Sequence, residues 1–196
     1  MSEIFDLILK NGTIVTPGGI TVADIAVKGG RISALGNFSA ATARETIDCK
    51  NLHILPGAID TQVHFREPGL THKEDLATGT LSAIAGGVTT VFEMPNTDPL
   101  TITQQTLDDK LARAEGRAWC DYAFFIGGCA ENAEDIAALE MQPGCCGVKI
   151  FMGSSTGALL AAQDEVILSI LQNGVRRVAL HAEDEERLKA RKHLAQ

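Results

Sequence analysis

Downstream of Pro56-Gly57 the sequence switches five times between a short apolar run and a longer amphipathic one. The strand-like runs are Ile59–His64, Val88–Glu93, Cys120–Ile126, Gly147–Phe151 and Arg176–His181. Each is followed by a helical pattern: Lys73–Ala85, Thr103–Ala114, Asn132–Glu140, Gln163–Gln172 and Asp184–Leu194. Parallel strands need crossovers long enough to hold a helix, and these crossovers are nearly always right-handed. The alternation therefore predicts an α/β fold with a parallel sheet. An open sheet and a barrel both satisfy the pattern. A complete (β/α)8 barrel has eight strands in about 250 residues, so five units between 57 and 196 would make an incomplete one.

The first 52 residues obey a different rule. Phe5–Lys10 precedes Asn11-Gly12, a strong turn signal, and Thr13–Thr16 follows. Pro17-Gly18-Gly19 and Gly29-Gly30 punctuate further short runs, with Ala23, Ile25 and Val27 alternating between them. No helical period occurs. The expected organisation is a small β-sandwich-like domain over 1–52 and the partial barrel over 53–196.

Composition narrows the function classes. The 196 residues are 45% hydrophobic and 21% charged, which suits a packed globular chain rather than a disordered one. The net charge of −8, without a basic patch, argues against nucleic acid as a partner. No apolar run of about 18 residues offers a membrane helix, and the acidic start Met-Ser-Glu-Ile-Phe-Asp is unlike a secretory signal. Five cysteines, an odd number with no CxxC pair, point to a reducing cytoplasm.

Side chains on a strand alternate faces, so Asp60, Gln62 and His64 are expected on one face, with His64 at the carboxyl end where parallel α/β folds place their sites. The next strand ends in Glu93-Met94-Pro95-Asn96, the fourth carries Lys149 between Val148 and Ile150, and the fifth ends at His181. A lone strand-end histidine is more often a hydrogen-bonded structural residue than a ligand. Lys149 is the anomaly, because an ammonium inside an apolar strand needs a partner, a depressed pKa or a modification that removes its charge. Gly153-Ser154-Ser155-Thr156-Gly157 could cradle an anion but reads equally as a plain loop, and Glu183–Glu186 reads as a solvated helix start.

Four of these segments together resemble the cyclic amidohydrolases, and dihydroorotase in particular. They are Asp60-Thr61-Gln62-Val63-His64-Phe65-Arg66-Glu67-Pro68-Gly69, Glu93-Met94-Pro95-Asn96-Thr97, Gly147–Gly157 and His181-Ala182-Glu183-Asp184. The resemblance implies a TIM-barrel hydrolase with one or two zinc ions at the barrel mouth. It implies His64, Lys149 and His181 as metal ligands, with Lys149 carboxylated by CO2, and Arg66 and Asn96 as the residues that hold the substrate. Gln62 stands where the family has a histidine, and an amide is a weaker zinc ligand than imidazole. The family's sixth-strand histidine and its general acid/base aspartate have no counterpart, so the chain reads as an N-terminal portion of such an enzyme.

The leading expectation is a dihydroorotase that interconverts dihydroorotate and N-carbamoyl-aspartate in pyrimidine biosynthesis. One alternative is a non-catalytic relative or inactive fragment, which Gln62 and the missing strands favour. A further alternative is a hydantoinase- or allantoinase-type cyclic amidase. A half-barrel would expose a sheet edge, so a homo-oligomer or a partner chain covering it is expected.

Overall fold

The computed structural model describes residues 4–154 and 159–195. The chain divides into two compact units between Pro56 and Gly57. The first holds β1 (Ile4–Thr16), β2 (Gly19–Lys28), β3 (Arg31–Gly36), β4 (Thr42–Asp48) and β5 (His53–Ile54) in one sheet. The central strand β1 pairs antiparallel with β2 and parallel with β4, and its second half pairs parallel with β5. His53 and Ile54, expected in the second unit, thus belong to the first sheet.

Asn11-Gly12 is not a hairpin turn. The strand runs straight through it as a bulge, with Asn11 at φ 61°. Two contacts hold the irregularity: the Asn11 amide donates to Asp24 Oδ1 at 2.9 Å, and its side chain donates to Asp48 Oδ1 at 2.9 Å. A Cβ at residue 12 would meet Ile54 Cδ1 at 2.3 Å, so glycine is needed for β5 to approach. The expected turns at Pro17-Gly18 and Gly29-Gly30 are both hairpins.

The second unit is a curled, all-parallel sheet in chain order: β6 (Ala58–Val63), β7 (Val88–Glu93), β8 (Asp121–Gly127), β9 (Cys145–Phe151) and β10 (Val178–His181). Its crossovers carry α1 (Leu76–Ala85), α2 (Gln104–Ala114), α3 (Ile136–Leu139) and α4 (Asp164–Asn173), and α5 (Glu185–Arg191) follows β10. This is the expected α/β half-barrel. Its core lies between sheet and helices, where Val91, Phe124, Ile126, Val148 and Ile150 meet Leu107, Ile136, Ile167 and Ile170. Burying side chains of this kind contributes about 1.5–3 kcal/mol each before entropy is charged against it.

The helix ends explain most boundary differences. Asp75 caps α1 by accepting from Thr78 N at 2.8 Å, which starts the helix three residues later than the expected Lys73. Thr103 and Thr106 form a reciprocal capping box on α2. The expected helix over Asn132–Glu140 shrinks to one turn because Asn132 is committed elsewhere: its amide donates to Ile102 O and Gly127 O, and its oxygen accepts from Cys129 N. The last strand starts at Val178, since the Arg176 guanidinium instead bonds the carbonyls of Glu140 and Cys145.

Candidate active site at the carboxyl ends of the sheet

The strand ends place the candidate residues in two groups. The first lies where β6 and β7 finish. His64, half-buried, sets its Nδ1 2.9 Å from Asn96 Oδ1. With the amide oxygen accepting, Nδ1 carries the proton and Nε2 keeps its lone pair. Burial lowers the His64 pKa, and the positive charges of Arg66, Lys149 and Lys110 lower it further against the Asn96 bond. The imidazole is therefore biased toward its neutral form.

This group has two buried braces. Glu67, 4% exposed, accepts from both Arg117 nitrogens at 2.7 and 3.1 Å and from Leu76 N at 2.9 Å. Burial raises its pKa, but the Arg117 fork and the Leu76 amide outweigh burial and leave it below its usual value. Arg66, between this brace and His64, sits at φ 65°, a left-handed conformation for a side-chain-bearing residue. Behind β7, Lys110 Nζ lies 3.1 Å from Glu93 Oε2 and donates to Met94 O at 3.1 Å. Neither Glu93 oxygen gains a well-angled hydrogen bond, so the Glu93–Lys110 contact is chiefly electrostatic. Burial pushes the Glu93 carboxyl up to about 6 and the Lys110 ammonium down.

The second group lies on β9 and β10. Lys149 is 2% exposed, and its ammonium sits 5.0 Å from the centroid of the Phe151 ring. Burial alone lowers its pKa; no carboxylate contributes. His181 pairs in register with Phe151, their ring centroids 6.0 Å apart, and its Nε2 lies 3.5 Å from Glu183 Oε1. The expected solvated helix start at Glu183–Glu186 is only partly so. Glu185 is buried, accepts from Ser154 N at 2.7 Å and pairs with Lys189 at 3.0 Å. Of the glycine-serine loop, residues 155–157 lie outside the described residues.

The shared face expected for Asp60, Gln62 and His64 is interrupted. Asp60 registers with Val91 and Val63 with Glu93, so three residues on β6 span two on β7. Within this bulge the Asp60 carboxylate accepts from Gln62 N at 3.0 Å; Gln62 itself is exposed. Among the described residues no three His, Cys, Asp or Glu side chains converge as a metal cluster.

Sequence reasoning passed over Lys110, Arg117, Glu67 and Phe151. Lys110 carried a legible signal: with Leu107, Leu111 and Ala114 it lies on the apolar i, i+3, i+4, i+7 stripe of its helix. A charge on such a stripe calls for a buried partner. Arg117 carried no comparable local signal, since Glu67 is 50 residues away.

Residues 52–148 match a family model described as Dihydro-orotase-like. An allantoinase of Rubrobacter xylanophilus is 42% identical over 191 residues, 93% of this chain and 41% of the relative. An allantoinase of Deinococcus radiodurans is 35% identical over 186 residues, 92% of this chain and 41% of the relative. The chain belongs to the cyclic amidohydrolase superfamily. In three dimensions it is similar to the L-hydantoinase (dihydropyrimidinase) from Arthrobacter aurescens, with a TM-score of 0.88 and 32% identity over 97% of this chain and 43% of that one. The chain thus spans about two fifths of the length of the relatives it matches. Within the superfamily these relatives favour the hydantoinase/allantoinase type over dihydroorotase.

Proposed function

We propose that the chain carries metal- and substrate-binding residues of a cyclic amide hydrolase of the hydantoinase/allantoinase type. The observation that carries the reading is Lys149. A lysine that is 2% exposed, with burial depressing its pKa, is biased toward the neutral amine that reacts with CO2. The ammonium gives up one proton, the neutral amine attacks CO2, an N–C bond forms and a second proton leaves, which turns a costly buried cation into an anionic oxygen ligand.

The donor set fits a divalent ion such as zinc. His64 offers Nε2 because Asn96 engages Nδ1, Lys149 offers its carbamate, and His181 stands at the end of the neighbouring strand. A bound ion would supply Lewis-acid polarisation of the scissile carbonyl. Gln62, exposed and a weak donor, favours a single or unequal pair of ions. Arg66 would hold a polar group of the ring, and Asn96 orients His64. All five cysteines are free thiols and, among the described residues, no helix is long and apolar enough to cross a membrane, which supports a cytoplasmic setting. Among the described residues the strands β6 and β10 each have one neighbour, and a second chain is proposed to cover those edges.

The test compares ring opening of allantoin, hydantoin and dihydroorotate by the protein supplied with zinc and bicarbonate. Faster turnover of allantoin or hydantoin is expected. Turnover of dihydroorotate alone would return the assignment to dihydroorotase. A folded, zinc-holding protein that opens none of them would support the non-catalytic reading, which exposed Gln62 favours.

A further inference from the structure

We propose that the buried Glu93–Lys110 pair is a positioning device, which fixes two strand ends from behind the sheet so that Asn96 meets His64. The inference rests on the proposed role of His64 in the site. Both act through the backbone.

The connections are short. Lys110 Nζ donates to Met94 O at 3.1 Å, two residues before Asn96, and Met94 N donates to Val63 O at 3.0 Å, one residue before His64. Pro95 lies between the clamped carbonyl and Asn96, and its ring removes one of the backbone torsions that could re-aim the amide. On the other side of His64, Phe65 packs against α1 at Gly79, where a Cβ would come within 2.4 Å of the ring. The Phe65 amide also favours the charged Glu93 carboxylate. The ion pair thus holds, through Lys110, the carbonyl two residues before Asn96, and that same residue's amide holds the carbonyl just before His64.

Stability alone does not explain the pair. Lys110 occupies an apolar stripe, is 1% exposed, and stands 5.3 Å from the centroid of the Phe124 ring. Replacing a buried ion pair by apolar residues of like volume is often neutral or stabilising, so packing would be served at least as well by leucine or methionine. What an apolar side chain cannot supply is a donor to the Met94 carbonyl.

The test reads the His64 tautomer by 15N NMR in the unaltered protein, in Lys110→Met and in the charge-free double variant Glu93→Gln/Lys110→Met. The unaltered protein should show His64 protonated at Nδ1. In whichever variant unfolds cooperatively, that form should be lost in favour of the Nε2–H form that an unrestrained histidine prefers. A folded variant that keeps the Nδ1–H form overturns the proposal, as does an Nε2–H histidine in the unaltered protein. Should both variants fail to fold, the Lys110 ammonium is read directly in the unaltered protein. A slowly exchanging 15N-ammonium resonance is expected, and exchange as fast as that of surface lysines overturns the clamp. The readout needs neither metal nor turnover. Absence of hydrolysis therefore counts against the proposed activity alone, and an unchanged tautomer against this inference alone.

Discussion

The two ends of the candidate site are built by opposite means. At β6 and β7 the buried carboxylates have cationic partners and His64 has an amide: Glu67 takes the Arg117 fork, Glu93 takes Lys110, and His64 takes Asn96. At β9 the buried cation Lys149 rests on an aromatic face and is simply desolvated. A partnered charge stabilises the position it occupies, whereas a desolvated one is a cost carried by the fold. The contrast separates residues that hold the strand ends in shape from the lysine to which the proposed function assigns the chemistry.

The largest effect should come from removing the cost. Lys149→Met is expected to reduce zinc affinity by more than the roughly 10–100-fold that loss of an outer partner causes, as measured by competition with a chelator. In chelator-treated protein the same change should stabilise by about 1–3 kcal/mol. A metal-free Lys149→Met protein that melts below the unaltered one would show that the ammonium has a partner after all.

The opposite sign is expected at the braced end. Arg117→Met leaves Glu67 buried and uncompensated and should destabilise by about 2–3 kcal/mol, discounted because Arg117 is partly exposed. That corresponds to a fall in Tm of roughly 4–12 °C for a chain of this size. An unchanged Tm would mean that the brace contributes nothing.

Acid should open the same end through Glu67. Its folded-state pKa lies below 4.5, so its contribution is fully present above pH 4.5 and is lost as the pH falls through the lowered value. The stability gap between the unaltered protein and Glu67→Gln should therefore narrow below pH 4.5, as read by chemical denaturation at a series of pH values. A constant gap would argue against an ionised Glu67.

The smallest effect is expected from Gln62→His, a gain in zinc affinity on the order of tenfold. No gain would place position 62 away from the ion.

The strand and helix order of the second unit was legible because each element has its own period: two for strands and 3.6 for helices. His64, Asn96, Lys149 and His181 could be assigned to strand ends for the same reason. What misled was local chemistry with more than one outlet. Asn11 adopts positive φ equally well in a turn or a bulge, and its bonds to Asp24 and Asp48 together with the approach of Ile54 to Gly12 select the bulge. Asn132 is as good a helix cap as a loop anchor, and the carbonyls of Ile102 and Gly127 decide for the anchor.

By itself, the sequence determined the α/β alternation, the separate β unit and the residue types gathered at the strand ends, all of which depend on neighbours within a few residues. Only the tertiary structure decided which charges are partnered. Glu67 and Arg117 are 50 residues apart, Glu93 and Lys110 lie on different layers, and the Asp60–Val63 bulge exists only against β7. Such pairings have no period along the chain. They arise when packing removes water from groups that must then find one another, and at Lys149 packing removed the water and set the ammonium against the face of a ring.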